Sequence, residues 1–214
     1  MRKYKLVAFD LDGVLTDHIS SWMWVHQHFN VDNEEGYRLF QEKKIDDLEF
    51  MRKDISLWLK KKPDLKEYEV EEILNKVPIT KGSKETFEVL KMNGIKTAII
   101  SGGIDLLAKR VGAYVGADFV FANALERRKD GTLTGEGISI VPLRRKDIIL
   151  AKLQRELNIK KEETVAVGDS LIDIPLFQQA GLAIAFNHKT EELRDYVDVV
   201  IDNGDLRKIL NYIL

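Results

Sequence analysis

The chain has 214 residues, 44% of them hydrophobic and 32% charged, with 33 basic side chains against 35 acidic ones for a net charge of −2. Such a composition excludes a disordered or fibrous chain, and near-balanced charge of both signs spread along the sequence leaves no summed positive field to hold a nucleic acid. No apolar run reaches the roughly 20 residues that cross a bilayer, so neither a membrane anchor nor a signal peptide is expected, and the absence of cysteine removes disulfides and thiol chemistry while agreeing with a cytoplasmic location.

In chain order, short apolar runs alternate with stretches of helical period. Leu6–Phe9, Thr97–Ile100, Phe119–Phe121, Thr164–Val167, Leu182–Ala185 and Val199–Ile201 have the length and composition of buried parallel strands. Between them, Ser83–Met92, Leu106–Val115, Asp147–Leu157 and Glu191–Tyr196 are amphipathic, and Asn93-Gly94, Gly116 and Asn158 supply helix stops. The alternation predicts an α/β fold, a doubly wound parallel sheet whose ligands sit at the C-terminal ends of the strands. From about Asp17 to Val77 no strand-like run occurs, only charged and aromatic residues at helical spacing. This segment predicts a helical cap (17–78) inserted after the first strand into a core made of 1–16 and 79–214. Its Trp22, Trp24, Phe29, Tyr37, Phe40, Phe50 and Trp58 are expected mainly to form the cap's own core. Between Phe121 and Pro142, Lys129-Asp130-Gly131 is a turn signal that predicts a small β-hairpin.

The first strand ends in Asp10-Leu11-Asp12-Gly13-Val14-Leu15-Thr16, two carboxylates where the chain leaves the sheet. A carboxylate can attack phosphorus to give an aspartyl phosphate, and a carboxyl two residues on can protonate the leaving oxygen and then activate water. Asp10 and Asp12 suit those roles in that order. Thr164–Val167 leads to a second pair in Gly168-Asp169-Ser170-Leu171-Ile172-Asp173. Asp10 and Asp169 could share one Mg²⁺, with Asp173 orienting a bound water; the competing expectation is that Asp169 and Asp173 only cap the next helix. Ser101-Gly102-Gly103 offers a hydroxyl and open amides to phosphoryl oxygens, and Lys146, in a first helical turn, opposes the macrodipole unless an anion lies nearby. A phosphate dianion beside ionised Asp10 and Asp169 needs both Mg²⁺ and Lys146 to bring the local charge near balance.

Taken in order, Asp10-x-Asp12-Gly-Val-Leu-Thr, Ser101-Gly102, Lys146 and Gly168-Asp169-x-x-x-Asp173 resemble the four motifs of haloacid dehalogenase-like phosphatases, across residues 5–205. Ile100-Ser101-Gly102-Gly103, Phe121-Ala122-Asn123 and Lys129-Asp130-Gly131-x-Leu133-Thr134-Gly135 are most similar to the phosphoserine phosphatase branch. The resemblance implies Asp10 as nucleophile, Asp12 as general acid/base, Ser101, Gly102 and Lys146 as phosphate contacts, and Asp10, Asp169 and the Asp12 carbonyl as Mg²⁺ ligands. It further implies Arg52 as a clamp for a substrate carboxylate. Two positions depart from the branch: His18-Ile19-Ser20 stands where a cap glutamate meets the substrate ammonium, and Ile172 where asparagine is usual. The expected ligand is a small phosphate ester, with no nucleic acid or membrane partner, for a monomer or homodimer. Two other classes fit parts of the pattern: a phospho-accepting regulatory or phosphotransfer domain, which needs neither Asp12 nor a cap, and a catalytically silent binding protein of the same fold.

Overall fold

The structure, a computed structural model, describes residues 3–18, 20–202 and 204–214. Its framework is a seven-stranded sheet: β1 (Leu6–Phe9), β2 (Lys96–Ile104), β3 (Phe119–Arg127), β4 (Leu133–Ile138), β5 (Thr164–Gly168), β6 (Leu182–Phe186) and β7 (Val199–Ile201), in the order β4-β3-β2-β1-β5-β6-β7. All neighbours are parallel except β3 and β4, which form the antiparallel hairpin expected around Gly131. That glycine has φ +86°, a conformation the turn requires and an L side chain resists.

Alternation along the strands sorts the core into two layers. Val7, Phe9, Ile99, Val165, Val167 and Ile184 face α5 (Ser83–Met92) and α6 (Asp105–Val115), with Phe9 and Phe87 stacked at 4.7 Å between ring centroids. Leu6, Ala8, Ala98, Ile100, Ala166 and Ala185 face α7 (Lys146–Leu157) and α8 (Ile174–Gln178). Because strands buried on both faces show no polar alternation, they read in sequence as continuous apolar runs. The helix stops are realised: Gly116 and Asn158 cap α6 and α7 in the left-handed conformation. Glu191–Tyr196 forms a 3₁₀ helix, and Leu210–Ile213 a last short helix, α9.

Four helices separate β1 from α5: α1 (Ser21–Phe29), α2 (Glu34–Gln41), α3 (Asp47–Lys61) and α4 (Glu67–Leu74). Ser20, Asn33 and Asp46 cap the first three through their side chains. Of the insertion's aromatics, Phe40 and Trp58 are fully buried, Trp22, Trp24 and Phe29 pack against the core, and Tyr37 instead points to solvent. The apolar side of these helices is continuous with one face of the sheet, since Val25, Ile55, Trp58 and Val70 join the same cluster as Leu11, Val14 and Phe9. The hairpin braces them from the other side. Lys66 pairs with Thr132 in a single bridge, Arg127 meets Glu67 at 2.7 Å, and a Cβ at Gly137 would stand 2.8 Å from the Met51 sulfur, so α3 lies directly on β4. Arg110 of α6 ties the returning chain by donating to the carbonyls of Asn75 and Val77.

Candidate active site

The two carboxylate pairs and the serine–glycine turn come from β1, β5 and β2, which are the three central strands, with β1 between the other two. Strand order reverses there, so the loops leaving their C-terminal ends part and open a crevice. Asp10 still follows the strand path, its N–H donating to Val167 O at 2.9 Å, after which the chain turns sharply as the Leu11 carbonyl accepts from the amides of Val14, Leu15 and Thr16. Gly13, at φ +80°, sits in that turn so close to Asp169 that a Cβ would collide with its carboxylate. The turn thereby lets the two acidic loops meet.

Lys146 opens α7 and is only 2% exposed, so its ammonium is buried among the carboxylates and not solvated at the surface. Its Nζ hydrogen-bonds Asp173 Oδ1 at 2.7 Å and forms an ion pair with Asp10 Oδ1 at 2.9 Å. Asp173 Oδ2 accepts from the N–H groups of Asp169 and Ser170, at 3.0 and 3.2 Å, and from Ser170 Oγ. Asp173 thus fulfils the capping expectation and anchors Lys146 as well. Ser101 lies within β2 rather than after it, at a break in register between Ile100 and Ile104, and its Oγ accepts from Gly103 N at 3.0 Å. A Cβ at Gly103 would lie 2.6 Å from Asp12 Oδ2, which shows how closely this bulge approaches the first carboxylate loop.

Four buried carboxylates, Asp10, Asp12, Asp169 and Asp173, are met by two ammonium groups, Lys146 and Lys189, the latter 3.3 Å from Asp169 Oδ2. Full ionisation leaves two negative charges unmatched in a buried site. Burial, reinforced by Asp173 and only partly opposed by Lys146, therefore pushes Asp10 up to about 7. Burial, with Asp173 and Asp10 adding to it, raises Asp169 well above the usual carboxylate range. Burial also raises Asp12, against the hydrogen bonds it accepts from Ser21. Burial alone would lower Lys146, and the charges of Asp10 and Asp173 more than reverse that.

The same imbalance is what a divalent cation would relieve. Oxygens of Asp10, Asp169 and Asp173 lie within 4.8 Å of one another, and beside them, among the described residues, Asp12 Oδ1 is buried without a hydrogen-bond donor. An all-oxygen, anionic donor set of this kind fits a hard divalent ion. Both Asp173 oxygens are already occupied by donors, so Asp10 and Asp169 are the carboxylates left to hold it.

Asp10, Asp12, Ser101, Gly102, Lys146, Asp169 and Asp173 are thus gathered at one edge of the sheet. Arg52 is placed differently: it lies on α3, half exposed, with its Nε bonded to both oxygens of Glu136 at 2.8 and 2.9 Å. Ile19, the position matched to the cap glutamate, lies outside the described residues. Three residues had not been singled out from sequence. Ser21 donates to Asp12, Lys189 pairs with Asp169, and fully buried Asn123 joins the Gly102 carbonyl to the Ile140 and Val141 amides on the loop that leads to Lys146. Asn123 lies in the Phe121-Ala122-Asn123 stretch at the end of the third apolar run; Ser21 and Lys189 carry no local signal, because their partners lie on other elements of the fold.

Comparison with known proteins agrees with this geometry. Residues 4–181 match the haloacid dehalogenase-like hydrolase family. The chain is 37% identical to the phosphoserine phosphatase of Methanocaldococcus jannaschii over 99% of both chains, and 32% identical to that of Wolinella succinogenes over 98% of this chain and all of the other. Among solved structures, a substrate-bound phosphoserine phosphatase complex and a phospho-aspartyl intermediate analogue of phosphoserine phosphatase each superpose with a TM-score of 0.84 at 34% identity, covering all of both chains. The chain therefore belongs to the haloacid dehalogenase-like hydrolases and is a phosphatase similar to phosphoserine phosphatases.

Proposed function

We propose that the chain is a Mg²⁺-dependent phosphomonoesterase for a small phosphate ester carrying a carboxylate, phosphoserine being the leading candidate, and that it works through phosphorylated Asp10. The observation that carries the reading is the Asp10 carboxylate at the C-terminal end of the central strand, its Oδ1 2.9 Å from the ammonium of buried Lys146, with the Asp12 carboxyl two residues on.

In this reading Asp10 attacks phosphorus as the P–O ester bond breaks, and Asp12 gives a proton to the departing oxygen. Asp12 then takes a proton from the water that attacks the aspartyl phosphate, releasing phosphate and restoring Asp10. Lys146, held by Asp173, faces the phosphoryl oxygens, and Ser101 with the Gly102 region provides further hydrogen bonds. Asp10, Asp169 and the Asp12 carbonyl would hold Mg²⁺, which when bound supplies the positive charge that a phosphate among carboxylates requires. Residues 17–78 serve as the cap over a core of 1–16 and 79–214. Arg52 turns to a substrate carboxylate by exchanging or sharing its Glu136 partner. A cytoplasmic location suits a small metabolite of this type.

The test is phosphate release from a panel of esters, phosphoserine and carboxylated non-amino esters included, with Mg²⁺ or EDTA, for wild type and Asp10→Asn. Metal-dependent release that Asp10→Asn abolishes is expected. Undiminished turnover in EDTA, or a stable phospho-Asp10 that never releases phosphate, would overturn the reading, the second outcome in favour of a regulatory phospho-acceptor.

A further inference from the structure

Asp12 Oδ2 receives two hydrogen bonds from one residue: the Ser21 N–H at 2.9 Å and the Ser21 hydroxyl at 2.8 Å. The direction of the second is fixed, because Ser21 Oγ itself accepts from the Ile104 N–H at 3.0 Å and so has its single proton left for the carboxylate. Ser21 is 1% exposed, and the space around it depends on Gly103, whose Cβ would lie 2.6 Å from both Ser21 Oγ and Asp12 Oδ2. Three segments converge here: the loop after β1, the first turn of α1, and the junction of β2 with α6. The two Asp12 oxygens are thereby made unequal, Oδ2 doubly held and Oδ1 without any donor.

We propose that Ser21 is the positioning residue for proton transfer, fixing Oδ2 so that Oδ1 is the oxygen that gives and receives the proton. The assignment rests on Asp12 being the general acid/base. Ser21 belongs to α1, the first helix of the inserted segment, whereas Asp12 and Ile104 belong to the sheet, so Asp12 is aligned only while α1 is docked. Withdrawing α1 removes both hydrogen bonds at once and leaves the carboxyl free to rotate. The proton then has no fixed path to the ester oxygen as the P–O electron pair moves onto it.

The deciding measurement is pre-steady-state release of the leaving group by Ser21→Ala from two esters: phosphoserine, or the best alkyl ester of the panel, and p-nitrophenyl phosphate. An alkoxide must be protonated as it leaves and p-nitrophenolate need not be. Positioned acid catalysis is worth about 10²–10⁴-fold; loss of its alignment should slow the alkyl ester about tenfold or more and the aryl ester by less than about threefold. On an Asp12→Asn background Ser21→Ala should cost nothing further. Equal slowing of both esters, or the same loss with and without Asp12, overturns the assignment and leaves Ser21 a packing residue. Ser21→Gly, which adds no bulk and keeps the backbone donor, carries the same comparison should Ser21→Ala fail to fold. A wild type whose leaving-group release is unaffected by Asp12→Asn would instead remove the acid/base reading beneath the proposal.

Discussion

Lys146 and Asp173 form an ion pair at 2.7 Å with side chains only 3% and 0% exposed. The pair joins the first residue of α7 to the turn after β5, and its two members arrive from elements separated by a strand. Breaking a buried pair by removing one partner costs about 3–5 kcal/mol, because the other charge is left without water or counter-ion. Lys146→Met should therefore unfold at lower denaturant than wild type and release no phosphate, and its stability deficit should be smaller at pH 5 than at pH 8, because Asp10, pushed up to about 7 mainly by burial, is protonated at the acid end and then leaves less charge unmatched. Denaturant titration at the two pH values checks this; a deficit independent of pH would contradict it.

Stability of the metal-free protein should fall as pH rises from 5 to 8. Asp10 and Asp169 hold their protons in the folded state to higher pH than in the unfolded chain, so the folded state binds more protons across this window and is favoured at its acid end. Carboxylates held low by ion pairs, such as Asp205 at about 2, are ionised throughout the window and contribute no slope. For a carboxyl moved from near 4 to near 7 the effect is on the order of a few kcal/mol. Melting temperatures in EDTA should decline with pH, and saturating Mg²⁺ should flatten or reverse the trend, since metal binding favours the ionised carboxylates. A rise with pH in EDTA would be the contrary result.

Trp22 donates its indole N–H to the Gly102 carbonyl at 3.1 Å and stacks on Trp58 at 5.6 Å between centroids, so it links α1 to the β2 bulge. Trp22→Phe keeps the stack and loses the donor, with an expected stability cost of about 1 kcal/mol. Trp22→Ala should cost more and should also change the ranking of ester substrates. An unchanged ranking with lowered stability would confine Trp22 to packing.

Arg52 and Glu136 form an exposed pair, a class generally worth about 0–1 kcal/mol. Arg52→Ala should leave the melting temperature nearly unchanged. If Arg52 receives a substrate carboxylate, KM for phosphoserine should rise about tenfold or more, while KM for an ester without a carboxylate stays put. Equal effects on both esters would place Arg52 outside the binding site.

Much of the fold was legible because its elements are local. The runs from Leu6 to Ile201 are apolar since both faces of the sheet are buried, and Gly116 and Asn158 mark helix ends since the left-handed cap selects those residues. Asp10, Asp12, Ser101, Lys146, Asp169 and Asp173 were legible for a related reason: each follows or interrupts a strand, or opens a helix, where a parallel sheet puts its loops. Tyr37, expected with the buried aromatics, was not, because helical spacing does not say which face of a short helix meets the core.

What the sequence by itself determined is the parallel sheet, the interruption by helices after β1, and the set of acidic and basic groups carried to the C-terminal ends of the strands. Only the tertiary structure decided which of those groups touch. It gave Lys146 to Asp173 as well as to Asp10, committed both Asp173 oxygens to donors, paired Arg52 with Glu136, brought Lys189 to Asp169, and placed Ser21 of α1 against Asp12. Hydrophobic periodicity reports burial one element at a time, whereas hydrogen bonds and ion pairs act over about 3 Å. Their partners are therefore fixed only when strand order and helix docking bring distant residues together.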